Sequence, residues 1–192
     1  MTRQPSGPGV SARSLAVGAS ILSGIAWLAW ELSRRFWDDG ASSDCSTSAD
    51  FYNDAMFALA TIAAAVALGS LFSLLRGAPR WFSLAAAVGV AAGGIGNSVE
   101  HCVAEPFFLV FAAGLLVYVL ASCALGAALV VTAQLGRWPG LLLSGAALGL
   151  NLSFDRGGAA VTGVAWLLFG VLFAVMTSRE RTAHETLGEP QR

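Results

Sequence analysis

The chain of 192 residues has few charged residues and no lysine. Only 12% of its residues carry a charge, whereas a soluble domain has about 25%. So few polar side chains cannot cover a surface that faces water, and 56% of the residues are hydrophobic with a mean hydropathy of +0.67. We therefore expect the lipid bilayer to surround most of the chain. The net charge of -1 gives no sign of a nucleic-acid partner.

The sequence also lacks the usual signatures of nucleotide-binding and catalytic domains. It has no P-loop, no Gly-x-Ser-x-Gly elbow and no dinucleotide-binding glycine motif in a βαβ context. Its two histidines, His101 and His184, are far apart in the sequence, and no Cys-x-x-Cys pair occurs. We therefore predict no metal site and no cofactor. The histidine count, together with the predicted topology, excludes a transmembrane haem held by two histidines.

Long apolar runs dominate what the sequence does contain. A transmembrane helix needs about 20 apolar residues, because a helix rises about 1.5 Å per residue and the hydrocarbon core is about 30 Å thick. The runs cover residues 14–32, 53–75, 81–99, 106–133, 138–154 and 157–177. The run 138–154 is short and is either a true span or a re-entrant segment. The prediction is an all-α polytopic transmembrane helical bundle of six helices, or five if 138–154 is re-entrant.

The segments outside these runs are short. Residues 1–13 and 178–192 are interpreted as cytoplasmic tails, the first of them disordered, on either side of a bundle over 14–177. The first run could be a signal peptide, since Arg3 and Arg13 precede it. It ends in Trp-Leu-Ala-Trp-Glu rather than at a small-residue cleavage site, so we expect an uncleaved helix.

The arginines determine the expected orientation. With both termini in the cytoplasm, the outer segments contain only Arg34, Arg35 and Arg156, and nine of the twelve acidic residues also lie outside. This distribution obeys the positive-inside rule. The inner arginines are Arg3, Arg13, Arg76, Arg80, Arg137, Arg179, Arg181 and Arg192. The composition, with arginine as the only basic residue besides histidine, is typical of a high-GC bacterium, so we expect a multi-pass protein of a bacterial plasma membrane.

A stripe of small and polar residues runs along the third run. Gly89, Gly93, Asn97 and His101 are four residues apart and therefore share one helix face, which Glu100 borders. The two glycines predict a close contact with another helix. The stripe becomes polar towards its outer end, and ionisable groups at membrane depth mark a site by default.

Three further polar residues are expected at the same depth, namely Asp54, Asn151 and Asp155. In one interpretation they converge with Asn97, Glu100 and His101 on a polar pocket that opens outward. In the other, all six are the hydrated ends of helices, where Asp54 would cap a helix N-terminus. We favour the second interpretation for Asp54 and Asp155, and leave both open for the residues of the third run.

Two of the three cysteines are expected on the outer side. Cys45 lies in the first outer loop and Cys102 at the outer end of the third run, so a disulfide between them would tie that loop to the helix. The alternative is two unpaired thiols that lie too far apart for the bond. Cys123 is interpreted as a packing residue.

These features favour a binding, accessory or transport-related membrane protein with an outer polar site. The alternative is an intramembrane enzyme that acts on a lipid-like or isoprenoid substrate, with Glu100 and His101 as candidate acid and base. That hypothesis requires a cavity that reaches them from the bilayer. A secondary transporter is the third hypothesis, and it would need a homodimer through small-residue faces such as Gly145–Gly149 or Ser122–Gly126.

Overall fold

The fold is that of a computed structural model, which describes residues 9–37, 48–102, 107–152 and 157–188, with side chains in 12–36, 48, 50–99, 107–150 and 157–179. Within these ranges the chain forms six helices and no strand, which confirms the predicted all-α fold. The helices are α1 (Gly9–Trp37), α2 (Ser48–Leu74), α3 (Ala78–Cys102), α4 (Phe108–Thr132), α5 (Arg137–Leu152) and α6 (Gly158–Gly188).

Five of these helices are long and apolar enough to cross a membrane, so the chain is a multi-pass helical membrane protein. The five spans are Ala12–Phe36, Asp50–Leu74, Ala78–Val99, Phe108–Thr132 and Gly158–Arg179. Leucine, isoleucine and valine side chains are exposed along all five, for example Ile25, Ile62, Ile95, Leu120 and Leu168. This apolar outer surface suits contact with lipid rather than with water.

The fifth helix is the short one, as the sequence indicates. α5 has 16 residues, a length of about 24 Å against the roughly 30 Å of the hydrocarbon core. It nevertheless packs along both α4 and α6 as a full member of the bundle, with Leu143, Ala146, Ala147 and Leu150 buried. At the termini, α1 begins at Gly9 and α6 continues to Gly188, so helix extends into the segments interpreted as tails.

The six helices form a closed ring. Each packs against its two neighbours in the sequence, and α6 packs against α1. Among the described residues, no two helices on opposite sides of the ring approach within 8 Å between Cα atoms. Short connections make neighbouring helices antiparallel, so α1, α3 and α5 end where α2, α4 and α6 begin.

Glycines bring the helix backbones close together at three of the six interfaces. At the junction of α1 and α6, a Cβ on Gly24 would come within 2.7 Å of the Gly163 carbonyl oxygen. Where α4 meets α5, a Cβ on Gly140 would come within 2.6 Å of the Gly126 carbonyl oxygen. The third contact, between α3 and α4, involves the predicted glycine stripe. Because lipid is as apolar as the helix surfaces, no hydrophobic force drives these helices together. Close packing at small residues helps to hold them in contact instead.

Hydroxyl groups bridge the other three interfaces. In each case a buried serine or threonine donates a hydrogen bond to a backbone carbonyl of a neighbouring helix, where no water competes for the acceptor. The bonds run from Ser23 Oγ to the Ala60 oxygen (2.9 Å), from Ser83 Oγ to the Leu68 oxygen (2.5 Å) and from Thr162 Oγ1 to the Ala146 oxygen (2.9 Å).

Large side chains fill the interior of the ring. Trp27, Phe57, Tyr118, Trp166 and Phe169 are all almost completely buried, together with leucines of α2, α4 and α5. Edge-to-face contacts join Trp27 to Phe57 and Trp166 to Phe169, with ring centroids 5.3 and 5.9 Å apart. The interior is therefore a packed core.

Candidate functional site

The two ends of the ring differ in charge. The end at which α1, α3 and α5 finish is called the acidic end, because four acids lie there, Glu31, Asp50, Asp54 and Glu100, against the two arginines Arg34 and Arg35. The opposite end carries Arg13, Arg76, Arg80 and Arg137 and is called the basic end. Of the residues predicted to form a polar site, those within the described helices, Asp54, Asn97, Glu100, His101 and Asn151, lie towards the acidic end.

An ion pair with a buried carboxylate lies at the acidic end of α1. Glu31 is only 6% exposed, and its Oε1 accepts a hydrogen bond from Arg35 Nε at 2.7 Å. A carboxylate so far from water needs such a partner to remain charged at low cost. The Arg35 side chain itself is 59% exposed, so the pair links a buried anion to the surface of the bundle.

The same arginine reaches the beginning of α6. A Cβ placed on Gly157 would lie 2.8 Å from Arg35 Nη2 and 3.7 Å from Glu31 Oε1. Gly157 has φ +94°, a conformation that favours glycine. Gly157, which directly precedes α6, therefore lies against the ion pair of α1.

A second polar contact connects α1 to α2. Ser33 is buried, and its hydroxyl donates a hydrogen bond to Asn53 Oδ1 at 2.5 Å. On α2, Asp50 lies about one turn before Asn53 and Asp54 directly follows it, and both aspartates are half-buried. Asp54, which the sequence analysis assigned to the polar site, therefore lies next to a polar contact between helices.

The glycine stripe of α3 packs against α4. A Cβ on Gly89 would come within 2.5 Å of the Tyr118 nitrogen, and Gly93 faces Gly114 and Leu115. Asn97 follows one turn beyond Gly93 and is half-buried. The predicted close contact of Gly89 and Gly93 is thus present, with α4 as the partner helix.

A separate contact sets the register between α2 and α3. The Thr61 side chain occupies the space that a Cβ on Gly94 would need. Asp54 precedes Thr61 by two helical turns, and His101 follows Gly94 by the same two turns of an antiparallel helix. The backbones of Asp54 and His101 are therefore at the same height at the acidic end.

Several predicted site residues fall outside what the structure describes. Glu100, His101 and Cys102 form the end of α3 and Asn151 lies in the last turn of α5, but their side chains are not among those described. Asp155 and Cys45 lie outside the described residues altogether. The polar pocket of six residues and the Cys45–Cys102 disulfide therefore stay predictions.

Sequence reasoning did not include α1 in the site. Glu31, Arg34 and Arg35 entered the argument only as charges that set the orientation, although the spacing of Glu31 and Arg35 is that of an ion pair on a helix. Arg34 also lies over the Trp30 ring, 4.9 Å from its centroid. The described polar contacts of the acidic end centre on α1 rather than on α3.

One suggested surface for a second copy of the chain is not available. Gly126 faces Gly140 and Ser144 of α5, and Ser122 is buried in the ring, so the Ser122–Gly126 face is occupied within one molecule. Gly149 likewise packs against Val161 of α6. These residues were interpreted as dimer faces because the sequence cannot tell which neighbour a small residue contacts.

Among the described residues, no group of three or more histidine, cysteine or acidic side chains could hold a metal ion. Cys123 is half-buried on α4 and is a free thiol.

Comparisons with protein-family models, with curated proteins and with solved structures find no significant match to this chain.

Proposed function

We propose that this chain is a binding or accessory protein of a bacterial plasma membrane, with a polar site at the acidic end facing outward. The observation that carries the proposal is the buried Glu31 carboxylate. It is held by Arg35 and lies close to Gly157, directly before α6. Burying a charge is costly, and apolar replacements of buried ion pairs in proteins are often neutral or stabilising. Its presence supports a role in recognition.

The charge balance of the acidic end favours a cationic group as the ligand. The described residues at this end include four acids, Glu31, Asp50, Asp54 and Glu100, against two arginines, Arg34 and Arg35, the second of which is paired with Glu31. In the proposed orientation, nine of the twelve acidic residues lie on this side. Such an excess of one sign attracts ligands of the opposite sign.

The packed interior supports binding at the end of the ring over passage through it. Trp27, Phe57 and Trp166 fill the space between the helices beneath the acidic end. A transporter would need acids or broken helices near the middle of the membrane, and Glu31, the one charged side chain among the buried described residues, lies at the acidic end. An intramembrane enzyme would need an apolar cavity that reaches Glu100 or His101. The large side chains that fill the ring interior do not favour such a cavity.

Two finer features belong to the same proposal. A disulfide between Cys45 and Cys102 would hold the loop between α1 and α2 over the acidic end. A partner membrane protein, or a second copy of this chain, would then use lipid-facing small residues such as Gly145, next to which a Cβ would meet nothing within 4 Å.

The proposal is tested by thermal unfolding of the purified protein in lipid nanodiscs. Spermidine is the cationic probe and glutamate the anionic one, because a ligand that binds only the folded state raises the unfolding temperature. We expect spermidine to stabilise the wild type and Glu180→Gln equally, and to stabilise Asp54→Asn and Glu31→Gln less. Glu180→Gln is the matched control, since it removes one acid from α6 beyond the basic end of the ring.

Stabilisation by glutamate alone, or an equal response of all four proteins to spermidine, would contradict a cation-binding acidic end.

A further inference from the structure

Two connections between helices lie side by side at the basic end. One joins α2 to α3 through residues 75–77, and the other joins α4 to α5 through residues 133–136. The Gln134 side chain links them, because its Oε1 accepts a hydrogen bond from the Arg76 backbone N–H at 3.0 Å and its Nε2 donates to the Arg76 carbonyl oxygen at 3.1 Å. We call residues 76–81 and 134–138 together the basic loop pair.

An arginine followed by a tryptophan begins the helix after each connection. Arg80 and Trp81 lie in the first turn of α3, and Arg137 and Trp138 in the first turn of α5. All four side chains are exposed, Trp81 to 62% and Trp138 to 69%. Exposed indoles are typical of the lipid headgroup level, where the ring meets apolar groups and its N–H meets polar ones. The basic loop pair therefore lies at that level of the membrane.

The positive charge of the basic loop pair is not neutralised within the described part of the chain. Arg76, Arg80 and Arg137 form no ion pair there, and the three acidic side chains that the structure describes all lie at the opposite end. On α6, Glu180 has an arginine on each side. The first turns of α3 and α5 contain no acid, and arginine near a helix N-terminus opposes the helix dipole. These arginines therefore do not serve to stabilise their own helices.

Aromatic rings hold the Arg80 guanidinium in place. Its Cζ lies over the Phe72 ring, 4.0 Å from the centroid, and 5.9 Å from that of Trp81. The two rings themselves meet edge to face, with centroids 5.6 Å apart. A cation–π contact positions a guanidinium without an oxygen acceptor, so its N–H donors remain available to an anion.

We propose that the basic loop pair binds the phosphate groups of anionic phospholipids in the leaflet that surrounds the basic end. Arg80 donates hydrogen bonds to a lipid phosphate, while Arg76 and Arg137 supply further positive charge. Arginine pairs well with phosphate because its planar fork can donate two parallel hydrogen bonds. The exposed Trp81 and Trp138 favour a lipid over a soluble phosphate ester, since their rings pack against the glycerol and the upper acyl chains. The inference does not depend on which end of the bundle faces the cytoplasm.

Tryptophan fluorescence of the full chain in phosphatidylcholine vesicles tests the proposal. Phosphatidylglycerol and phosphatidylcholine, each with brominated acyl chains, are the two quenchers, because bromine quenches only the indoles that it contacts. We expect phosphatidylglycerol to quench at lower mole fraction, and sodium chloride at 0.5 M to reduce this preference because salt screens exposed charges. Arg80→Gln and Arg137→Gln should each lower the relative binding constant about fivefold, whereas Arg80→Lys should keep most of it.

Arg34→Gln is the matched control. Arg34 also lies over an aromatic ring, 4.9 Å from the centroid of Trp30, but it belongs to the acidic end, where the surrounding acids disfavour anionic lipids. This variant should keep the preference of the wild type. An equal loss in Arg34→Gln and Arg80→Gln would overturn the proposal, because charge at either end would then suffice.

Two measurements on the wild type alone also decide the outcome, so the test does not depend on whether the variants fold. Equal quenching by the two brominated lipids would overturn the proposal. So would loss of the preference on addition of glycerol phosphate at about the concentration of the lipid, since it would identify a site for a soluble phosphate ester. A preference that persists in glycerol phosphate and falls in salt supports lipid binding.

Discussion

Gly24 of α1 and Gly163 of α6 lie directly against each other and close the ring. A Cβ on Gly24 would come within 2.7 Å of the Gly163 carbonyl oxygen, and a Cβ on Gly163 within 2.9 Å of the Gly24 carbonyl oxygen. Real Cβ atoms do not approach backbone oxygens so closely, so this contact requires glycine on both helices. The first and last helices of the chain meet through it.

Gly24→Ala should therefore destabilise the bundle. The added methyl group forces α1 and α6 apart, and we expect a loss of about 1–3 kcal/mol in the free energy of unfolding, the usual cost of overpacking. Titration of the protein from mild detergent into sodium dodecyl sulfate measures the change. Gly145→Ala is the matched control, because a Cβ there meets nothing within 4 Å. It should leave stability unchanged or raise it by up to about 1 kcal/mol. Equal effects of the two substitutions would disprove the close contact.

Thr162→Val should weaken the junction of α5 and α6. The Thr162 hydroxyl is shared between the Ala146 and Gly158 carbonyl oxygens, both at 2.9 Å. Valine keeps the shape but leaves the Ala146 oxygen without its interhelical donor, at a cost of about 0.6–1.7 kcal/mol. Thr132→Val makes a suitable control, since Thr132 is exposed and bonds within α4 alone. If both variants unfold at the same detergent fraction, the interhelical bond contributes nothing.

The ion pair of Glu31 and Arg35 should show measurable coupling. Because the Arg35 side chain is 59% exposed, we expect Arg35→Gln to cost about 1 kcal/mol rather than the several expected of a fully buried pair. The double variant with Glu31→Gln should cost less than the two single changes added together. A double-mutant cycle measures this coupling, and strict additivity would mean that the pair is not formed.

Much of the fold follows from local properties of the sequence. Apolar runs of sufficient length predict helices wherever they occur, and the structure begins and ends them within a few residues of the expected positions, apart from the extended ends of α1 and α6. The spacing of Gly89 and Gly93 also indicates a close helix contact, because residues four apart share a face whatever the fold.

The partners of these surfaces could not be predicted from the sequence. Gly126 was interpreted as a face for a second copy, and the structure places Gly140 of the same chain against it. Nothing in the local sequence distinguishes an intramolecular neighbour from an intermolecular one. Gly24 and Gly163 close the ring although most of the chain separates them in the sequence. The polar contacts of α1 likewise involve residues of α2 and the residue before α6, which the sequence of α1 alone does not identify.

Cys45 and Cys102 should resist alkylation until they are reduced. If Cys45 and Cys102 are linked, iodoacetamide under denaturing but non-reducing conditions should modify only Cys123, which is a free thiol. After reduction, all three cysteines should react, and mass spectrometry of the intact chain counts the added groups. Cys45→Ser should free Cys102 for modification. Three modified cysteines without reduction would show that no disulfide forms.

The orientation of the bundle is tested most directly by alkaline phosphatase fusions in a bacterial host, because the enzyme is active only outside the cytoplasm. With both termini inside and six crossings, fusions after residues 45 and 103 should be active, and fusions after residues 78 and 180 should be inactive. This pattern would place the acidic end, with Glu31 and Asp54, on the outer face. Activity after residue 180 would contradict the account, since it would mean that α5 or α6 does not cross the membrane.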